Sequence, residues 1–259
     1  MRYTILRRLA AAGITAGLVI GGTSVLAGPA FAAQSAASHQ TAPRVAAHAS
    51  SLDDLTRAAE VWFAENHWNW TAWNDPTPVA FGSAQPDYQC AEFVARALAA
   101  AGLIPGLSPN APQDDYFDYT APNGEVYDLL LISPLPQYHN LYDYLMDSGI
   151  GQDVGDQPSE AQPGDIVVTY AGPDGEMSHT GLVATAPTAT DEATVDAHNN
   201  ARYHYGYHYY APSHLVKLVP NALLVVWAWA AAQQAPGAQH PKTAPQRPTF
   251  FEDPAGPQV

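Results

Sequence analysis

"QPGDIVVTYAGPDGEMSHTGLVATA", residues 162–186, contains two apolar, β-branched runs, Asp165–Ala171 and His179–Ala186, separated by a Gly- and Pro-rich turn. Each run is too short for a helix and is bounded by turn residues, so the pair reads as two buried strands. Downstream, "ATVDAHN" (193–199), "HLVKLV" (214–219) and "ALLVVWAWA" (222–230) extend the strand pattern. Upstream the period changes. Ser51 with Asp54 three residues later forms a capping pattern, and Leu55, Ala58, Ala59 and Trp62 follow at helical spacing, which predicts a helix over 52–66. Cys90, Phe93, Val94, Leu98 and Leu103 predict a second helix that ends at Gly102 and Pro105, and "YHNLYDYLMDSG" a third that ends at Gly149. Helices followed by an antiparallel strand run define an α+β class, N-terminal helices packed on an antiparallel sheet. Residues 67–89, with Pro76, Pro78, Gly82 and Pro86, are expected to lack regular structure, and 104–135 to be loop.

The ends carry different signals. Arg2, Arg7 and Arg8 precede an apolar Ala-rich run closed by Ala30-Phe31-Ala32, the pattern of a secretory signal over residues 1–32. Residues 33–50 read as a flexible lead-in, 51–231 as one folded domain, and 232–259 as a disordered Pro- and Gln-rich tail. The chain has 259 residues and a formal charge of −15, and loss of the leader's three arginines takes it to −18. That charge excludes nucleic acid and anionic membrane surfaces as partners, and the interrupted leader argues against stable membrane insertion. The expected product is a secreted monomer.

A single cysteine, Cys90, cannot form an intrachain disulfide. It stands at the first turn of the second helix, where unpaired N–H groups and the helix dipole favour a thiolate, so it is the candidate nucleophile. A thiol nucleophile needs a base, and His179 opens a buried strand whose rigid backbone would place it. A third group should orient that imidazole. The two-residue period of "EATVDAHNN" puts Asp196 and His198 on one strand face, with Asn199 at the strand end, and the residues alone leave open which of the three serves. His198, His204 and His208 also raise a zinc site, although no carboxylate spacing accompanies them, so no metal or other cofactor is expected. Trp62, Trp68, Trp70 and Trp73 could line a substrate groove, but core packing is the commoner role of such aromatics.

Together "QCAEFVARAL", "AQPGDIVV", "MSHTGLV" and "DAHN" resemble the CHAP-type amidohydrolase/peptidases, the NlpC-type cell-wall hydrolases and the related putative amidase domains, all papain-like. The resemblance covers about residues 52–220. It implies that Cys90 is the nucleophile, that His179 is the general base and later the acid, and that the orienting residue lies at His198 or Asn199, with Asp196 in reserve. Gln89 before the cysteine is nearer the CHAP pattern than the D-C-S-G of NlpC members. The implied activity is cysteine-dependent amide cleavage, with peptidoglycan or a small amide or peptide as substrate. Two rival expectations stand beside it, a catalytically silent exported wall-binding module and a zinc-dependent amidase.

Overall fold

Ser51 starts the first helix as its capping pattern predicts. Its hydroxyl accepts the Asp54 N–H at 3.1 Å while the Asp54 carboxylate accepts the Ser51 N–H at 2.9 Å, and α1 runs Leu52–His67. The computed structural model describes residues 51–72, 75–78, 80–83, 89–135, 139–171 and 175–233, with backbone only for 71, 72 and 75–78, inside a unit that begins at His48. The expected signal segment, lead-in and most of the expected tail lie outside the described residues.

The stretch expected to be irregular contains a two-stranded antiparallel ribbon, β1 (Trp70–Ala72) with β2 (Asp75–Pro78). Its prolines are tolerated because a two-stranded ribbon leaves each strand one unpaired side. The cysteine helix forms as expected: α2 spans Cys90–Ala100, and Gly102 at φ +77 lets the Leu103 N–H return to the Leu98 carbonyl at 2.9 Å. The region expected to be loop holds α3 (Gln113–Phe117) and a short hairpin, β3 (Tyr119–Thr120) with β4 (Val126–Tyr127). Next come α4 (Leu141–Asp147), capped by Asn140, and β5 (Gly151–Asp153).

Five further strands follow: β6 (Ile166–Tyr170), β7 (Met177–Thr185), β8 (Thr194–Ala197), β9 (Arg202–Gly206) and β10 (Ser213–Leu218). With β5 they form a six-stranded antiparallel sheet in the order β5-β10-β6-β7-β8-β9. Alternation along the strands sorts the core into two layers. Ile166, Val168, Leu182, Val216 and Leu218 face the helices with Phe93, Val94 and Leu98 of α2. Val167, Val183, Val195 and Leu215 pack on the opposite face with Tyr207. The α+β architecture therefore stands, with α1 and α2 lying on β7.

One expected strand is a helix. Residues 222–230 belong to α5 (Ala222–Gln233), which also takes in the first two residues of the expected tail. Asn221 at φ 59 turns the chain out of the sheet after Leu218, and its N–H is held by Asp53 of α1 at 2.6 Å. The run is apolar all round, so periodicity could not distinguish helix from strand, and its alanines favour the helix. No described helix is long and apolar enough to cross a membrane.

The aspartate of "QPGD" has a structural role. Asp165 is fully buried; its Oδ1 accepts from Arg57 Nη1 at 2.7 Å and from the Leu218 N–H at 3.0 Å, and its Oδ2 from the Gln162 N–H at 3.0 Å. Arg57 also donates to the carbonyls of Pro163 and Leu218. One side chain thus ties α1 to β6 and β10, beside the strand that carries His179.

Candidate active site

Cys90 is the first residue of α2, half-buried against β7. The backbone N–H groups of Cys90 and Ala91 at the helix start, and of Thr180, the residue next to His179, are near enough to stabilise a negative sulfur. These donors and the charge of Arg202 favour the thiolate, as the sequence suggested. Burial outweighs them. The thiol is held above its ordinary range, mainly by desolvation, and the expected depression by the helix N-terminus is present only as a smaller opposing effect.

His179, 3 % exposed, lies near the start of β7 and pairs across to Thr169 of β6, beside an irregularity in the register. Its Nε2 is 3.1 Å from Nη1 of Arg202. A guanidinium only donates, so Nε2 accepts and the neutral ring carries its proton on Nδ1. Burial, and then the Arg202 charge, push the imidazole down to about 3. Both shifts favour an uncharged thiol and an uncharged imidazole at neutral pH.

Arg202 itself was not singled out by the sequence. It opens β9, is 8 % exposed, and stacks its guanidinium over Tyr209 at 4.8 Å from the ring centroid. Tyr209 and Tyr210 also meet His179 edge-on, at 5.9 and 5.3 Å. An arginine in an aromatic run, in a chain with only ten Lys and Arg, was the available signal.

The candidates for the third position have different environments. His198 is buried, stacks on Phe93 of α2 with ring centroids 4.3 Å apart, and donates from Nε2 to the His67 carbonyl at the end of α1, at 2.9 Å. That bond fixes its tautomer, leaving Nδ1 as the acceptor, and burial holds the ring at about 3. A charge on His179 would lower it further. Asn199 is exposed in the turn between β8 and β9 at φ 73. Asp196 is fully buried, accepts the His204 N–H at 2.7 Å, has one carboxylate oxygen without a hydrogen-bond partner, and is raised to about 6 by desolvation. Cys90 at the start of α2, His179 on β7 and His198 just after β8 therefore lie on elements that pack against one another.

The remaining aromatic and histidine features separate from this cluster. Trp62 is 63 % exposed and lines an open cleft of about 680 Å³ with Leu55, Phe63 and His67, so it is not core. Trp68 packs against Tyr203 with the rings tilted and their centroids 5.2 Å apart, whereas Trp73 lies outside the described residues. His204 pairs with Glu65 and His208 with Asp156, each at 3.0 Å, so the two histidines go to different carboxylates. Among the described residues no group of three His, Cys, Asp or Glu could hold a metal ion.

A family model described as "Putative amidase domain" matches residues 54–216, more than half of the chain, and includes Cys90, His179, His198 and Arg202. The protein belongs to that family, one of the three that its motifs resemble, and the family assigns it to amide hydrolysis. No curated protein and no solved structure matches the chain.

Proposed function

We propose that the protein is a secreted, papain-like cysteine amidohydrolase that cleaves an amide bond in peptidoglycan or in a small peptide, with Cys90 as nucleophile and His179 as general base. The observation that carries this reading is the place of Cys90 as the first residue of α2, the helix that packs on β7, the strand that carries His179. Because thiol and imidazole both rest neutral, the proton leaves sulfur for His179 as sulfur attacks the carbonyl carbon. The carbonyl oxygen becomes an oxyanion facing the Cys90 N–H. His179 returns the proton to the leaving amine, and water, deprotonated by the same ring, releases the acyl group. His198, anchored by the His67 carbonyl and Phe93, is the favoured orienting residue over Asn199 and Asp196.

The contact between Arg202 and the His179 Nε2 favours a second reading, a wall-binding module without turnover, because it occupies a base nitrogen. Release of new amino groups from purified peptidoglycan and from N-acyl amides separates the two. The wild type is expected to release them, undiminished by chelation, and Cys90→Ser and His179→Ala to lose at least a hundredfold. Retention on the wall with no release would establish the binding module, and loss of release on chelation would establish a zinc amidase.

A further inference from the structure

The described residues contain four Lys and Arg. Arg57 pairs with Asp165 at 2.7 Å, Arg96 with Glu92 at 2.7 Å and Lys217 with Glu160 at 2.9 Å. Arg202 is the exception among them: it is more than nine-tenths buried, yet its one hydrogen-bond partner among the described residues is His179, which carries no negative charge. The Tyr209 hydroxyl lies beside it without reaching hydrogen-bond geometry, and the other neighbours are the ring faces of Tyr205, Tyr209 and Tyr210. A buried guanidinium needs an anion and several acceptors, and among the described residues no carboxylate is provided. Tyr210 is 49 % exposed, so this side of the cluster borders solvent.

We infer that Arg202 is the substrate's carboxylate-binding residue, so that the preferred substrates carry a carboxylate within a few bonds of the scissile amide. This inference rests on Cys90 being the nucleophile. A guanidinium presents planar paired donors that match a carboxylate, and the tyrosine faces hold that plane fixed. A carboxylate docked there supplies the missing charge and draws the guanidinium from the His179 Nε2. The anion that anchors the substrate therefore also frees the base.

The test compares alkylation of Cys90 by iodoacetate and iodoacetamide, which place a carboxylate or its neutral amide one bond from the reacting carbon. In each case the Sγ–C bond forms, iodide leaves, and the thiol proton passes to buffer. The ratio of the two rates at one pH cancels the thiolate fraction. The iodoacetate-to-iodoacetamide ratio in the wild-type protein is expected to exceed that of free cysteine by about tenfold and to collapse to it in Arg202→Gln, with Arg202→Lys between. Succinate should slow wild-type alkylation, a measurement that needs no variant. A ratio equal to that of free cysteine, with no protection by succinate, overturns the inference while leaving the nucleophile intact. Failure of both reagents at the native Cys90, with reaction restored on unfolding, would instead overturn the nucleophile reading.

Discussion

Replacing Asp165 with alanine removes the acceptor for three donors at once: Arg57 Nη1, the Leu218 N–H and the Gln162 N–H. Breaking a buried ion pair costs roughly 3–5 kcal/mol, and the 18 % exposure of the Arg57 side chain allows some rehydration, which places this term near about 3. The two backbone donors add roughly 1 kcal/mol each, for a total of about 5 kcal/mol. That is a third or more of the stability of a typical domain, which is roughly 5–15 kcal/mol. Asp165→Asn is expected to cost less, because an amide oxygen keeps the two Oδ1 bonds while its NH2 group meets the Gln162 N–H. Urea unfolding followed by tryptophan fluorescence measures both, with the midpoint falling and the slope unchanged. A loss under 1 kcal/mol in Asp165→Ala would refute the assignment of this motif residue to holding α1, β6 and β10 together.

Burial raises the Cys90 thiol, so its alkylation rate by iodoacetamide should climb with an apparent pKa above the free-cysteine value of about 8.5, and higher still in Arg202→Gln, which loses a thiolate-favouring charge; a midpoint below 8.5 would contradict the neutral resting pair. Glu60 is fully buried with neither carboxylate oxygen bonded, and desolvation raises its pKa well above the ordinary range. A carboxyl raised on folding contributes stability that is fully present below its unfolded value, about 4.3, and lost as pH rises toward the folded one. Glu60→Gln should therefore gain about 1 kcal/mol or more at pH 7, roughly 2–4 °C in Tm, and nothing at pH 4; parallel Tm curves for variant and wild type would refute this. At Gly181, two residues from His179, an added Cβ would meet Val195 Cγ1 at 2.6 Å and the Asp196 carbonyl at 2.9 Å. Gly181→Ala is expected to cost roughly 1–3 kcal/mol and to slow amide cleavage; unchanged stability would show that β7 and β8 yield freely there.

The structure kept some of the local readings and overturned others. The first turn of α2, the start of β7 and the strand that ends just before His198 were legible because each has a clear period and a stop signal. The ribbon of β1 and β2 was not, since its prolines forbid only interior strand positions. Residues 222–230 offered neither period, and the turn at Asn221 decided them. Arg202 has no sequence neighbour that marks it. Its meaning comes from His179, 23 residues earlier, and from the tyrosines that bury it. The thiol's elevation was equally hidden, because desolvation comes from packed tertiary structure while the helix-terminal effect opposing it can be read from three residues.

The sheet order separates two kinds of change. His179 sits on β7, which has partners on both sides, so any shift of its backbone must drag β6 and β8 with it. Arg202 starts β9, which has one sheet neighbour, and the pairing of β8 with β9 already slips in register between Val195 and Ala197. An insertion or exchange at that border disturbs a single ladder. Sequence can change at the rim of this scaffold, around Arg202, while the strand that carries His179 stays locked in place.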